Sequence, residues 1–304
     1  MNIMCKNIIF KPRYNNLNIS SFQKVLLTLP RLFCSKKPQS EPVLLDPTNK
    51  IAVVTGGTGD IGVSIASELL KNNVQKVALL DLNPDIGLKA INELTCVHGC
   101  DKVVFLKCDV SLPNCVKDAF KTVSREYGNF DILVNAAGYW NEKDWEGQIE
   151  SNLFGIITTN IFATFFMNPN GIIINVSGSG FEGISHSPIL SASFSGIVSA
   201  SRCFGHKDNT CKSKIRVTCL CLGITKTKFI MEAEKRQLTK GMSSDLEVFL
   251  KSQPTQTTEP LKVSVIHLIK YAQTGTVWVA DDYKLYTLEF PNWKTYATME
   301  ARFM

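Results

Sequence analysis

The chain has 304 residues, 44% of them hydrophobic, enough to bury a sizeable core and too many for a wholly disordered protein. Its formal net charge is +6, yet Lys6, Lys11, Arg13, Lys24 and Arg31 all precede residue 34 in a stretch with no Asp or Glu. Without that stretch most of the surplus disappears, so the body lacks the basic bias of a nucleic-acid-binding domain, and no nucleic-acid partner is expected.

Residues 1–40 are basic, acid-free and contain Ser and Asn, as mitochondrial presequences do. Phe22, Val25, Leu26 and Leu29 recur at helical spacing, with Lys24 and Arg31 on the other face. "RLFCS" (31–35) is similar to a presequence-processing site. Residues 1–45 are therefore read as a leader to the mitochondrial matrix, the alternative being a basic extension on a cytoplasmic protein.

From residue 50 the chain alternates strand-like runs with helix-like stretches. The strands fall at 50–57, 75–81, 101–109, 130–138, 171–178, 214–223 and 274–280. The helices lie at 61–72, 84–95, 113–127, 145–167, 190–205 and 259–272. This alternation predicts an α/β fold: one doubly wound, Rossmann-type parallel sheet over 50–304 with helices on both faces. The most apolar run, "LFGIITTNIFATFFM" (153–167), is interrupted by Asn160 and threonines and predicts a buried helix, not a membrane span. Cys96, His98 and Cys100 sit close together, but no second pair completes structural-zinc spacing, so the ten cysteines are read as free thiols and no metal is expected.

"VVTGGTGDIG" (53–62) ends the first strand and opens the first helix, with Gly57, Gly59 and Gly62 in a G-x-G-x-x-G frame. In that context the glycines allow a tight turn and close approach of a dinucleotide pyrophosphate, with Thr58 and Ile61 beside it. Asp60 is unusual in such a loop; pointing outward, it would cap the helix. Asp81 closes the second strand nineteen residues after Gly62, where a carboxylate accepts from the adenosine ribose and favours NAD over NADP. Asp109 and Val110 end the third strand, where an adenine ring would lie. "NAAG" (135–138) ends the fourth and adds Asn135 and Gly138 to the expected cofactor contacts.

TGGTGDIG, Asp81, Asp109-Val110, NAAG, "SNLFGI" and "GIIINVSG", in this order, resemble the short-chain dehydrogenase/reductase family over roughly residues 50–290. "NEKDWEGQIESNL" (141–153) is especially similar to the NAD-dependent hydroxyprostaglandin dehydrogenases, and "TGTVWVADDYKLYTLEFPNW" (274–293) to an end those enzymes share with insect alcohol dehydrogenases. The resemblance implies a bound NAD, oxidation of a secondary alcohol or reduction of a ketone, and assembly through the helices at 145–167 and 190–205. After the sixth strand Leu222-Gly223 stands where the family usually has Pro-Gly, Gly223 remaining an expected cofactor contact, and Ile224 and Thr225 match the contacts made to the nicotinamide amide.

The family works with an Asn–Ser–Tyr–Lys set. Asn152 matches the Asn, and Ser177 or Ser179 the Ser, Ser177 being preferred. At the Tyr and Lys positions this chain has Leu190 and Phe194, in "PILSASFSG". Neither side chain can transfer a proton or hold the nicotinamide ribose, so cofactor binding is expected to be weakened. "YWNEK" (139–143) is a displaced Tyr-x-x-x-Lys that offers Tyr139 as a substitute donor. The reading is a catalytically impaired NAD-binding homologue, acting as a homo-oligomer or beside a related active subunit. The alternatives are an active oxidoreductase on a lipid-like or small alcohol with an altered proton donor, and an interaction protein without cofactor.

Overall fold

Strand β1 (Ile51–Thr55) is buried at every residue, as a central strand covered on both faces must be. It is part of a computed structural model that describes residues 42–99, 101–231 and 233–295; residues 1–41 of the expected leader and Cys100 lie outside the described residues, whereas 42–45 belong to the folded body, Leu45 being buried in the core and the Leu44 amide donating to the Lys270 carbonyl. After β1 come helix α1 (Asp60–Lys71), β2 (Lys76–Asp81), α2 (Pro84–His98), β3 (Val103–Lys107), α3 (Pro113–Tyr127) and β4 (Phe130–Asn135). Prolines open α2 and α3, where a missing N–H costs no helical bond, and glycines 99 and 128 follow both at positive φ.

The second half begins with a short helix α4 (Trp145–Ile149), a π-helical turn over Glu150–Phe154, and α5 (Gly155–Phe166). It continues through β5 (Met167–Gly178), α6 (Pro188–Phe204), α7 (Lys207–Thr210), β6 (Arg216–Leu222), α8 (Lys240–Ser252) and α9 (Glu259–Tyr271). Strands β7 (Val277–Asp281) and β8 (Lys284–Leu288) complete the chain of elements. The eight strands form one sheet in the order β3-β2-β1-β4-β5-β6-β7-β8, parallel except for the β7–β8 hairpin. The expected doubly wound architecture is thus observed. One face of the sheet is covered by α1, α2 and α9 through Ile65, Leu69, Leu94, Leu261 and Leu268. The other is covered by α3, α5 and α6 through Val116, Phe120, Ala163 and Ile197.

Two expectations need correction. The region 145–167 is not one buried helix. The π turn divides it, Met167 already belongs to β5, and Phe154, Ile161 and Phe165 are exposed, the last to 71%. Only the side with Ile156, Thr159, Asn160 and Ala163 is buried. The C-terminal segment also carries a further strand, β8, turned at Asp282 and Tyr283, both at positive φ.

The strand order reverses between β1 and β4, which diverge into helices on opposite faces. The crevice at their C-terminal ends is where such sheets bind ligands.

Candidate active site

Two adjoining hollows open at this crevice. The first runs along the ends of β1, β2 and β3. It is lined by the 56–62 loop, Asp81, Asp109, Val110, Gly138 and the segment Thr227–Phe229. Its glycines divide the labour. A Cβ at Gly62 would lie 2.7 Å from the Gly57 Cα and closer still to the Gly56 carbonyl, so this glycine exists for packing of helix on loop. A Cβ at Gly57 would meet Leu79 at 2.8 Å. A Cβ at Gly59 would touch only the Gly56 carbonyl, at 3.5 Å, and otherwise stand in the hollow itself. That open backbone at a helix N-terminus fits a pyrophosphate.

Asp81 closes β2 at the edge of this hollow. Its Oδ2 accepts from the Thr58 amide at 3.0 Å and the Thr58 hydroxyl at 2.6 Å, and its Oδ1 from Leu82 N. Ile61, Thr58, Asp109 and Val110 line the same hollow, Asp109 holding Ser111 through its amide and hydroxyl. Asp60 does not cap its own helix. Its Oδ2 accepts from the Lys228 amide at 2.6 Å and ties the phosphate loop to the segment after β6. Asn135 is also relocated. It is 1% exposed, lines neither hollow, and donates to Asn175 Oδ1 at 2.9 Å. Asn175 in turn joins Asn160 and Ser201, so Asn135 anchors a buried polar network linking β4, β5, α5 and α6.

The second hollow lies at the ends of β4, β5 and β6 under α6 and α8, with about 870 Å³ of atom-free space including its mouth. Asn152, Ser177, Ser179, Gly223 and Thr225 line it together with Leu190, Phe194, Trp140, Phe229 and Phe249. None of its lining residues carries an acid, an amine, an imidazole, a thiol or a phenol. Asn152 is 3% exposed and spends both ends of its amide on the Tyr139 backbone, at 2.9 Å each. Ser177 is buried and donates weakly to the Phe194 carbonyl at 3.3 Å, whereas Ser179 is exposed. Thr225 donates to the Gly223 carbonyl and receives Gln256 Nε2.

Leu190 is 1% exposed and packs with Trp140, Ala233 and Leu246. The Phe194 ring lies on Gly178, whose α-carbon it approaches so closely that no Cβ would fit. The start of α6 is held by a residue that the sequence offered without a role. Glu142, fully buried, accepts from the amides of Ile189 and Leu190 at 2.9 Å each and from Gln148 Nε2 at 3.2 Å. A carboxylate on two free helix donors satisfies them and complements the dipole.

Tyr139 and Lys143 do not form a working pair. The Tyr139 hydroxyl donates to Asp144 Oδ2 at 2.7 Å, and the ring lines the first hollow, not the second. Partial burial and the Asp144 carboxylate push the phenol well above its ordinary range, away from proton transfer near neutrality. Lys143 Nζ donates instead to the Lys235 carbonyl at 2.9 Å. Nor do Cys96 and His98 make a ligand set with any described neighbour: His98 Nε2 sits 2.9 Å from Ser67 Oγ. Among the described residues no cluster of potential metal ligands occurs, and no helix is long and apolar enough to cross a membrane.

A family model for short chain dehydrogenases matches residues 50–238. The chain belongs to the short-chain dehydrogenase/reductase family. Among its relatives in this family is the rat (Rattus norvegicus) 15-hydroxyprostaglandin dehydrogenase [NAD(+)], 34% identical over 194 residues, which are 62% of this chain and 73% of that enzyme. Fat body protein 2 of Drosophila melanogaster is 22% identical over 78% of this chain and 93% of its own length. Among solved short-chain dehydrogenase/reductase folds, one from Serratia marcescens superposes with a TM-score of 0.65 at 20% identity, covering 77% of this chain and 97% of its own. L-sorbose reductase from Gluconobacter frateurii, solved with NADPH and L-sorbose, gives 0.64 at 23% identity, over 77% of this chain and 95% of its own.

Membership supplies a frame for the residues that the sequence left unassigned. Trp140, Glu142, Gln148 and Arg236 all border or brace the two hollows. Glu142 and Gln148 fall inside the segment that resembles the hydroxyprostaglandin enzymes, and that likeness was the available signal. Trp140 and Arg236 gave none.

Proposed function

We propose that this short-chain dehydrogenase/reductase homologue binds NAD in the first hollow and has lost proton transfer in the second. In this reading Leu190 and Phe194 occupy the positions at which the family keeps its Tyr and Lys. The observation that carries it is a second hollow without a titratable side chain. Bound NAD would supply hydride transfer, and the alcohol or ketone oxygen would then need a proton to leave or arrive. Asn152 is committed to the Tyr139 backbone, Ser177 is a weak acid, and Tyr139 faces elsewhere with its proton held by Asp144. General acid–base catalysis is worth roughly 10²–10⁴-fold, which is the size of the expected deficit.

The residues fit the cofactor. Gly59 leaves room for the pyrophosphate, Asp81 is placed for ribose hydroxyls and against a 2′-phosphate, and Val110 offers an apolar wall for adenine. Gly223 and Thr225 would receive the nicotinamide amide, while Phe194 offers its ribose no hydrogen bond, which weakens binding. Calorimetric titration with NADH and a turnover assay over a panel of secondary alcohols test the reading together. Binding of NADH without measurable turnover is expected. Robust turnover by the unmutated protein refutes the loss of chemistry, and absence of NADH binding leaves an interaction protein.

The exposed Phe154, Ile161 and Phe165 support pairing of this face with a second copy or a related active subunit. A sedimentation experiment giving only monomer overturns that part. Mitochondrial import through residues 1–40 is likewise proposed, and diffuse fluorescence from a fusion of that segment to a fluorescent protein refutes it.

A further inference from the structure

We infer that Arg236, on the segment after β6, is a pyrophosphate anchor for the dinucleotide, facing the phosphate loop from the opposite wall of the first hollow. The inference rests on the cofactor reading above and adds a residue to it. Arg236 lines the hollow. Its Nη2 donates to the carbonyls of Phe229 at 3.3 Å and Met231 at 2.9 Å, which fixes the guanidinium in place. Its Nε is buried and has no hydrogen-bond partner. That atom is closed off from the hollow, so a ligand there would meet the outer guanidinium N–H groups.

The position follows from two hydrogen bonds. The guanidinium holds the Phe229 carbonyl, and the adjacent Lys228 amide donates to Asp60, the first residue of α1. Arg236 and the glycine loop at the start of α1 therefore border the same hollow. Each carboxylate around the hollow accepts from a neutral donor in this structure, and none is paired with Arg236 among the described residues. Asp60 is taken by Lys228 N, Asp81 by Thr58 and Leu82, and Asp109 by Ser111. Among the described residues Arg236 makes no ion pair. A diphosphate is a dianion that a rigid, permanently charged fork recognises better than an ammonium does. The placement also separates this anchor from Asp81. The carboxylate holds the ribose end, and the guanidinium holds the end at which the segment after β6 crosses the loop.

The test compares NADH, ADP, adenosine and NADPH by calorimetry on the full chain and on Arg236→Gln. Lys226→Gln, the same charge change on an exposed residue outside the hollow, is the control. Arg236→Gln should weaken NADH and ADP about tenfold or more. Adenosine should change less than about twofold, and Lys226→Gln should leave all ligands unchanged. Because the substitution also removes two bonds to carbonyls, inorganic pyrophosphate is titrated against NADH on the unmutated protein. Competition there, lost on Arg236→Gln, supports the anchor without relying on equal stability of the variants. Unchanged NADH and ADP affinity in Arg236→Gln overturns the inference, and so does an equal loss for adenosine. A loss confined to NADPH overturns it too, since the guanidinium would then serve a 2′-phosphate. If the unmutated protein binds neither NADH nor ADP, it is the cofactor reading that fails.

Discussion

Restoring the acid and its activator together is the most demanding test of the second hollow. Leu190→Tyr places a phenol at the first turn of α6, and Phe194→Lys an ammonium one turn on, the spacing at which two side chains share a helix face. The structural cost can be worked through. Leu190 is 1% exposed against Trp140, Ala233 and Leu246, so a larger side chain there overpacks by about 1–3 kcal/mol, reduced where the phenol can enter the neighbouring hollow. Phe194 is half-buried on Gly178, and losing its ring costs a share of the about 3–5 kcal/mol of a full Phe truncation. A domain stable by more than about 8 kcal/mol survives the upper end of that sum, with a lowered melting temperature. NADH at one hundred times its Kd returns about 2.7 kcal/mol. It should stabilise the double variant more than the parent, because the new ammonium gains a ribose to bind. Hydride transfer from a secondary alcohol to NAD, followed at the nicotinamide absorbance, should rise at least about tenfold in the double variant. Leu190→Tyr alone should gain less, since a phenol without its Lys keeps a pKa near about 10. A folded, NADH-binding double variant with no more turnover than the parent would refute the reasoning.

Three further outcomes follow from distances already given. Gly62→Ala should destabilise the fold by about 2 kcal/mol or more, because its Cβ meets loop backbone that cannot yield, whereas Gly59→Ala should melt normally yet bind NADH more weakly. Equal effects of the two on melting and binding would show that the hollow is not the phosphate site. Asp81→Ala should narrow the preference for NADH over NADPH and loosen the Thr58 turn, both read by titration; an unmutated protein with no preference would place Asp81 outside ribose recognition. Burial first, then the Lys102 charge, holds His98 below its ordinary 6.5, so the folded state takes up that proton less readily than the unfolded chain. Stability from this site is therefore full above about pH 6.5 and falls as the pH drops through the window beneath it. His98→Gln should flatten that part of the stability–pH curve, and an unchanged curve would exclude the histidine.

The parallel core was legible because buried strands are continuous apolar runs, as in "KIAVVT" and "GIIINV", and because Gly and Pro punctuate the helices between them. The glycine loop and Asp81 were legible as local sequence features, and the structure brings both to one hollow. What escaped depends on contacts between distant segments. Asn135 reads like a strand-end ligand, but its neighbours Asn175 and Asn160 are 40 and 25 residues away in sequence and turn it inward. Asp60 reads as a cap, and its partner Lys228 is 168 residues away. The β8 strand was hidden by its turn. Asp281-Asp282 is a turn signal, but Tyr283 adopts a positive φ that favours Gly or Asn, which weakens it. Arg236 sits in a polar stretch whose sequence says nothing about which groove it borders.

The grip of Glu142 on α6 makes use of amide protons at positions 189 and 190, and every residue but proline has one. The side chains of those positions are not part of the clamp. Docking of the helix is thereby uncoupled from what the helix carries on its inner face. Any residue but proline at position 190 alters the wall of the second hollow, which Leu190 lines, and leaves the amide clamp in place. The reagents on such a scaffold and the fastening of its helix are separate parts.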